Sequence, residues 1–157
     1  RGISIAMPGP GLGERPVLSA NKGTLRRART DGKTDWHQDG NFLGRDLRAL
    51  NVWVTLTDCG VDAPTMDLVP KRFETIVESG TGGAIFDWAV GPDVVDRLSV
   101  EAPVVRPVFK AGDCMLFGDL CLHRTALAPE FVNTRHALES WFFAASAYPS
   151  GQVPLVW

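Results

Sequence analysis

Nine residues constrain this chain more than any others: LNVWVTLTD, from Leu50 to Asp58, alternates strictly. Asn51, Trp53, Thr55 and Thr57 fall on one face and Val52, Val54 and Leu56 on the other, the period of two that belongs to a strand. Other short runs have the same character. GDCMLFG (Gly112 to Gly118) is opened and closed by glycine, and HALESWFFAA (His136 to Ala145) is apolar with aromatics that favour strand over helix. APVVRPVF (Ala102 to Phe109) is β-branched, with prolines that suit an edge or a strand start. One segment reads as helix, GPDVVDRLS from Gly91 to Ser99, where Pro92 suits a first-turn position.

Short strands separated by Gly/Pro turns imply a sandwich or barrel, here an all-β jelly roll with a few short helices. A structural β-sandwich with no site is still open at this point. Residues 1–16 contain Pro8, Gly9, Pro10, Gly11, Gly13 and Pro16, and read as a loop or linker that holds no regular element. Residues 17–157 then form one domain, the expected size for a single core. A chain that begins at Arg1 rather than methionine leaves room for an upstream part.

The charge pattern narrows the partners. Net charge is −2 with Lys and Arg scattered, whereas nucleic acid calls for a concentrated basic face. No apolar run approaches the roughly 20 residues of a membrane span. Three cysteines without CxxC spacing, Cys59, Cys114 and Cys121, fit thiols used as small apolar residues in a reducing cytoplasm. The expected partner is a small molecule; nothing in the sequence fixes an oligomeric state.

The chemistry starts at TDWHQDGNF, Thr34 to Phe42. On a strand, His37 and Asp39 would share a face while Gln38 points away. An acid two residues after a histidine occurs by chance about one time in eight, so the pair alone is weak. His123 lies just beyond an apolar strand and supplies a third ligand. Two histidines and a carboxylate on one face leave three positions of Fe(II) open for a chelating co-substrate and O2; zinc could use the same set with a water. Arg135 follows about a dozen residues later, and a guanidinium near iron suits the distal carboxylate of a 2-oxo diacid. Taken singly, Arg135 reads as a surface ion pair and His123 as a core histidine; the joint pattern is what points to a site.

Several blocks together resemble the phytanoyl-CoA dioxygenase family of Fe(II)/2-oxoglutarate oxygenases: WHQDG, LNVWVTLTDCGVDAPTMDLVP, GDCMLFGDLCLHRT, and an arginine shortly after HRT, from about Leu25 to Phe143. The resemblance implies a double-stranded β-helix of the cupin-like kind. It implies iron ligands at His37, Asp39 and His123, with Arg135 gripping 2-oxoglutarate. It also places Trp53, Thr125 and Gln38 in the co-substrate neighbourhood. The implied reaction oxidises a C–H bond of a small organic molecule and releases succinate and CO2. Trp36, Asn51 and Phe42 are candidate substrate contacts, with Trp88 and the segment Val153 to Trp157 as further apolar walls and Gly80, Gly82 and Gly83 as a lid or a plain surface loop. Two departures stand out: members are usually longer before the HxD strand, and the segment after LVP reads Lys71, Arg72, Phe73. A cupin-like metalloenzyme without 2-oxoglutarate, or a non-catalytic jelly roll, uses the same barrel.

Overall fold

A computed structural model of the chain describes residues 5–6, 12–32, 35–44 and 46–155. Its centre is an antiparallel sheet built on β4 (Ala49–Thr55), β6 (Cys114–Gly118) and β8 (Arg135–Ala144). β8 lies between β4 and two N-terminal strands, β2 (Pro16–Ser19) and β3 (Thr24–Ala28), and β9 (Pro154–Leu155) adds to β2. Against this sheet stands a smaller one, β5 (Thr65–Leu68) with β7 (His123–Ala126). Isolated bridges widen it: Val105 pairs Leu68, Leu68 pairs His123, and His123 pairs His37. The result is a double-stranded β-helix, the jelly roll expected from the strand pattern.

Alternation decides which side chains enter the barrel. Along β4, Asn51, Trp53 and Thr55 are buried and Val52 and Val54 only partly so. The register puts Met115 and Glu139 on either side of Trp53, and Phe117 and Trp141 on either side of Asn51. Cross-strand partners share a face, so one row of inward residues runs across the sheet. Between the sheets, Trp53, Met66, Leu68, Phe109, Met115 and Phe117 pack with Cys59, Cys121 and Ala137. A second cluster lies outside the small sheet, where Val94 and Val95 of α2 (Pro92–Leu98) meet Trp36, Val69, Val90 and Leu122. Pro92 occupies the start of that helix, where its missing N–H costs nothing.

Three sequence expectations need correction. Residues 102–109 form no continuous strand; only Val105 and Phe109 make single bridges, to Leu68 and Cys59. Pro103 and Pro107 lack the N–H groups a ladder would need, so pairing occurs only between them and after them. Within the N-terminal stretch, Ile5–Ala6 (β1) pairs in parallel with β6, and β2 starts at Pro16 itself. Pro8 to Gly11 lie outside the described residues. The HxD segment is not a strand either: His37 sits in a lone bridge, and Asp39 already has helical φ/ψ at the start of α1 (Gly40–Leu43).

All three cysteines are free thiols, and Cys59 and Cys121 are buried. Burial pushes the Cys121 thiol up to about 12, so it serves as an apolar residue. Among the described residues no helix is long and apolar enough to cross a membrane.

Candidate metal and co-substrate site

His37 and His123 face each other across one antiparallel bridge. The His37 N–H donates to the His123 carbonyl at 2.9 Å, and the His123 N–H returns the bond at 3.0 Å. This exchange fixes both Cα atoms, and the two rings lie on one side with centroids 4.4 Å apart. Each ring is held by its other nitrogen as well. Nδ1 of His37 meets the Asp35 carbonyl and Nδ1 of His123 meets the Cys121 carbonyl, both at 3.0 Å. A carbonyl only accepts, so Nδ1 carries the proton and Nε2 presents its lone pair. Burial lowers the pKa of both imidazoles, which keeps them neutral and ready to ligate.

Asp39 arrives from the turn after the bridge. Its Oδ1 lies 3.6 Å from His37 Nε2 and its Oδ2 3.7 Å from His123 Nε2. Three ligand atoms, one from each residue, lie within 4.8 Å of one another. Atoms bound at right angles to one ion at ~2.1 Å would sit about 3 Å apart, so the cluster needs only a small contraction. Asp39 Oδ2 is buried without a hydrogen-bond partner. Burial pushes this carboxyl up to about 7, the behaviour of a charge whose counterion is a bound cation. A donor set of two imidazoles and one carboxylate on one face fits Fe(II) with open positions.

The three residues open into a cavity of about 260 Å³ lined also by Arg26, Trp53, Met66, Phe117, Thr125, Arg135 and Glu139. Arg135 lies in its wall, buried, on the inward face of β8. Its Nε donates to the Pro64 carbonyl at 3.3 Å, one Nη reaches Thr125 Oγ1 at 3.5 Å, and its guanidinium lies over the Trp53 ring at 5.1 Å. No carboxylate pairs with it among the described residues, and burial lowers its pKa. A desolvated guanidinium with unused donors, facing a metal cluster, is suited to a dianion that bridges the two.

Of the sequence candidates, His37, Asp39, His123, Arg135, Trp53 and Thr125 therefore line one space. Three others do not. Gln38 is fully buried, but its Nε2 donates to the Leu120 carbonyl at 2.7 Å and its Oε1 accepts from the Val77 N–H at 2.7 Å. Its amide clamps the 75–77 segment and lies outside the cavity wall. Trp36 packs in the outer cluster under the Arg124 guanidinium, 4.8 Å from its ring. Asn51 shares the inward face with Trp53 yet is absent from the lining, its Oδ1 buried and unpartnered.

Phe42 is half-exposed at a second cavity of about 390 Å³, which shares His37, Asp39, Arg26 and Glu139 with the first. Phe42 and Trp88 both approach the His37 ring edge-on at 6.0 Å and lie 5.1 Å from each other. Trp88 belongs to the loop that starts at Gly80, where Gly80, Gly82 and Gly83 take positive φ. That loop is tied down by Gly80 N–H to the Ala89 carbonyl and Asp93 N–H to the Gly82 carbonyl. Val153–Leu155 line neither cavity, and residues 156–157 lie outside the described residues.

Sequence reasoning missed Arg26 and Glu139, the pair common to both cavities. Arg26 Nε and Nη2 donate to the two Glu139 oxygens at 3.0 and 2.8 Å, and Trp141 Nε1 donates to Oε1 at 3.0 Å. Burial raises the Glu139 pKa, but these bonds outweigh it and hold the carboxyl below its ordinary range. The signal was present in the parity of β8: Glu139 shares the parity of Ala137, Trp141 and Phe143, so it had to point inward with them.

A cavity of about 520 Å³, larger than either of these two, is lined by Arg48, Glu74, Ile76 and Asp119 among others and contains no member of the metal cluster. Volume alone does not locate the chemistry.

Residues 21–127 match the phytanoyl-CoA dioxygenase (PhyH) family. No curated protein matches the chain in sequence. Solved structures share its fold at low identity. EctD from S. alaskensis, with 2-oxoglutarate and 5-hydroxyectoine, superposes with a TM-score of 0.65 at 17% identity, covering 88% of this chain and 48% of that one. The epimerase SnoN, in complex with Fe3+, alpha ketoglutarate and nogalamycin RO, gives 0.63 at 20% identity over 93% of this chain and 64% of its own. AviO1 from Streptomyces viridochromogenes Tue57 gives 0.59 at 18% identity over 88% and 55%. The chain thus spans roughly half to two thirds of these proteins.

Proposed function

From the premise that the chain belongs to the phytanoyl-CoA dioxygenase family, we propose that it is a non-haem Fe(II)/2-oxoglutarate-dependent oxygenase that hydroxylates a C–H bond of a small organic substrate. The observation that carries this reading is the pairing, in one cavity, of a buried carboxylate oxygen without a hydrogen-bond partner, set between two histidines, with a buried arginine that no carboxylate pairs among the described residues. Two opposite deficits face each other there, and Fe(II) with 2-oxoglutarate would satisfy both. When bound, the iron and its co-substrate supply the oxidising chemistry, with O2 consumed and succinate and CO2 released.

The chain's own residues do the rest. His37, Asp39 and His123 would hold the metal through Nε2, a carboxylate oxygen and Nε2, with tautomers preset by the Asp35 and Cys121 carbonyls. Arg135 would take the distal carboxylate of 2-oxoglutarate, and the Thr125 hydroxyl beside it would donate to the same group. Trp53, Met66 and Phe117 form the apolar part of the cavity wall. Solved structures of the same fold contain 2-oxoglutarate or alpha ketoglutarate, which supports a 2-oxo acid as the co-substrate.

Anaerobic titration with Fe(II) and then 2-oxoglutarate tests it. A weak metal-to-ligand charge-transfer band in the visible is the expected result. Metal binding with no band and no dependence on Arg135 would favour a cupin-like metalloenzyme instead. No metal binding at all would leave a non-catalytic jelly roll.

A further inference from the structure

The outer cavity has two unlike walls. On the side of α1 and the 80–91 loop it is aromatic, with Phe42 and Trp88, and Phe86 stacked on Trp88 at 5.0 Å and 6°. On the side of β3 and β8 it is polar, with the Arg26–Glu139 pair and the edge of Trp141. Its volume, about 390 Å³, is that of a small-molecule site. It shares His37, Asp39, Arg26 and Glu139 with the first cavity but not Arg135, Thr125 or His123.

Lys22 and Arg26 bring two positive charges to the lining of this cavity and Asp39 and Glu139 two negative ones, so the lining as a whole carries no net charge. Glu139 and Arg26 neutralise each other through two parallel N–H···O bonds. A carboxylate offers about four lone-pair directions and a guanidinium five N–H groups. Glu139 uses three, and Arg26 spends two on Glu139, so one acceptor and several donors remain. A cationic substrate would compete with a bidentate arginine for Glu139, and an anionic one would approach a fixed carboxylate. A hydroxyl group, which donates and accepts, suits the pair without disturbing it. The aromatic wall in turn suits a face of C–H bonds.

We propose that the outer cavity is the substrate site, that it takes a neutral saturated ring bearing several hydroxyls, of the sugar or cyclitol type, and that Glu139 with Arg26 orients it. The ring's apolar face lies against Trp88 and Phe42, its hydroxyls bond the pair, and one C–H bond is turned toward the cluster of His37 and Asp39. This inference rests on the oxygenase reading for what happens to the ring, and on the cavity alone for its binding.

Saturation-transfer NMR on the metal-free protein tests the binding directly. The probes are methyl hexopyranosides and myo-inositol, with cyclohexanol, cyclohexylammonium and cyclohexanecarboxylate as matched controls of one hydroxyl or one charge. The polyol rings are expected to bind, most strongly of the set, with their ring C–H protons receiving the transfer. Glu139→Gln should weaken them about 10- to 100-fold, the loss of hydrogen bonds to a charged group. Trp88→Ala, which removes the aromatic face beside Phe42 and His37, should weaken them while circular dichroism stays unchanged. Tighter binding of the cation or the anion overturns the proposal, as does an affinity that neither substitution alters, or no polyol binding. The iron and 2-oxoglutarate titration separates the two readings: polyol binding without a charge-transfer band removes the oxygenase and keeps the site, and a band without polyol binding does the reverse.

Discussion

Arg135→Met separates a co-substrate anchor from a structural arginine, because the two roles predict opposite signs. The guanidinium is 3% exposed and makes only two neutral hydrogen bonds, at 3.3 and 3.5 Å, both at the long end of the range. Methionine keeps the contact with Trp53 and removes a buried charge. The relief of desolvation, several kcal/mol in a real protein, offsets the Pro64 carbonyl left unpaired, which costs about 1–3 kcal/mol. The ligand-free variant should therefore stay within about 2 kcal/mol of wild type. Affinity for 2-oxoglutarate should behave otherwise. Losing one partner of a buried bidentate charge pair costs 2–5 kcal/mol; about 3 kcal/mol is roughly 150-fold in Kd. Thermal shift with Mn(II) and 2-oxoglutarate reads both effects at once. At a concentration of ~100 Kd, wild type gains about 2.7 kcal/mol, or roughly 5–11 °C for a domain of this size. The variant at the same concentration should gain less than about 2 °C. A variant that unfolds without ligand, or that keeps the full shift, would refute the reasoning.

Three further outcomes follow from the same geometry. Asp39→Asn should abolish metal-dependent stabilisation yet raise the melting temperature of the metal-free protein at pH 8. The sign comes from linkage: folding raises this carboxyl from 3.8 to about 7, so above pH ~4 the unfolded chain loses the proton first and stability falls until pH ~7. That fall, about 4 kcal/mol at most, should vanish in the variant's pH–stability profile. Gln38→Ala should cost about 2–4 kcal/mol in urea unfolding, since it strips partners from the Val77 N–H and the Leu120 carbonyl, and metal affinity should drop with it. Asp67→Asn on the outer face leaves Arg106 and Arg124 without a carboxylate; both are about a third exposed, so roughly 1–2 kcal/mol is expected, with 2-oxoglutarate affinity unchanged in calorimetry.

The barrel and the residues that cluster as His37, Asp39 and His123 could be read from the chain because each depended on local signals. Alternation around Trp53 is a two-residue period, and it placed the inward face of β4 correctly. The pairing of HxD with a distant histidine and arginine needed only their order. What could not be read was anything set by a partner strand. Residues 102–109 look like a strand by composition, and their prolines permit only two bridges. Gln38 sits between two ligands in sequence and belongs to another surface in space, because its amide meets Leu120 and Val77. The Arg26–Glu139 pair joins β3 to β8 across more than two thirds of the chain, and nothing near Arg26 announces its partner. The turn at Asp39 was hidden for a simpler reason. The HxD spacing reads the same in sequence whether the strand runs on through Asp39 or, as here, gives way to helical φ/ψ at that residue, and only the backbone distinguishes the two.

The bridge between His37 and His123 also fixes when iron can be acquired. The two residues are separated by more than half the chain, so an unfolded polypeptide offers a cation only the short chelate of His37 and Asp39. The third ligand arrives when β7 docks, late in both synthesis and topology. On the proposed ligand set, three-point capture of a metal therefore follows the docking of β7 rather than preceding it. A ribosome-bound chain ending before residue 123 has nowhere to keep its iron, and a folded one receives it into a frame already set by two backbone hydrogen bonds.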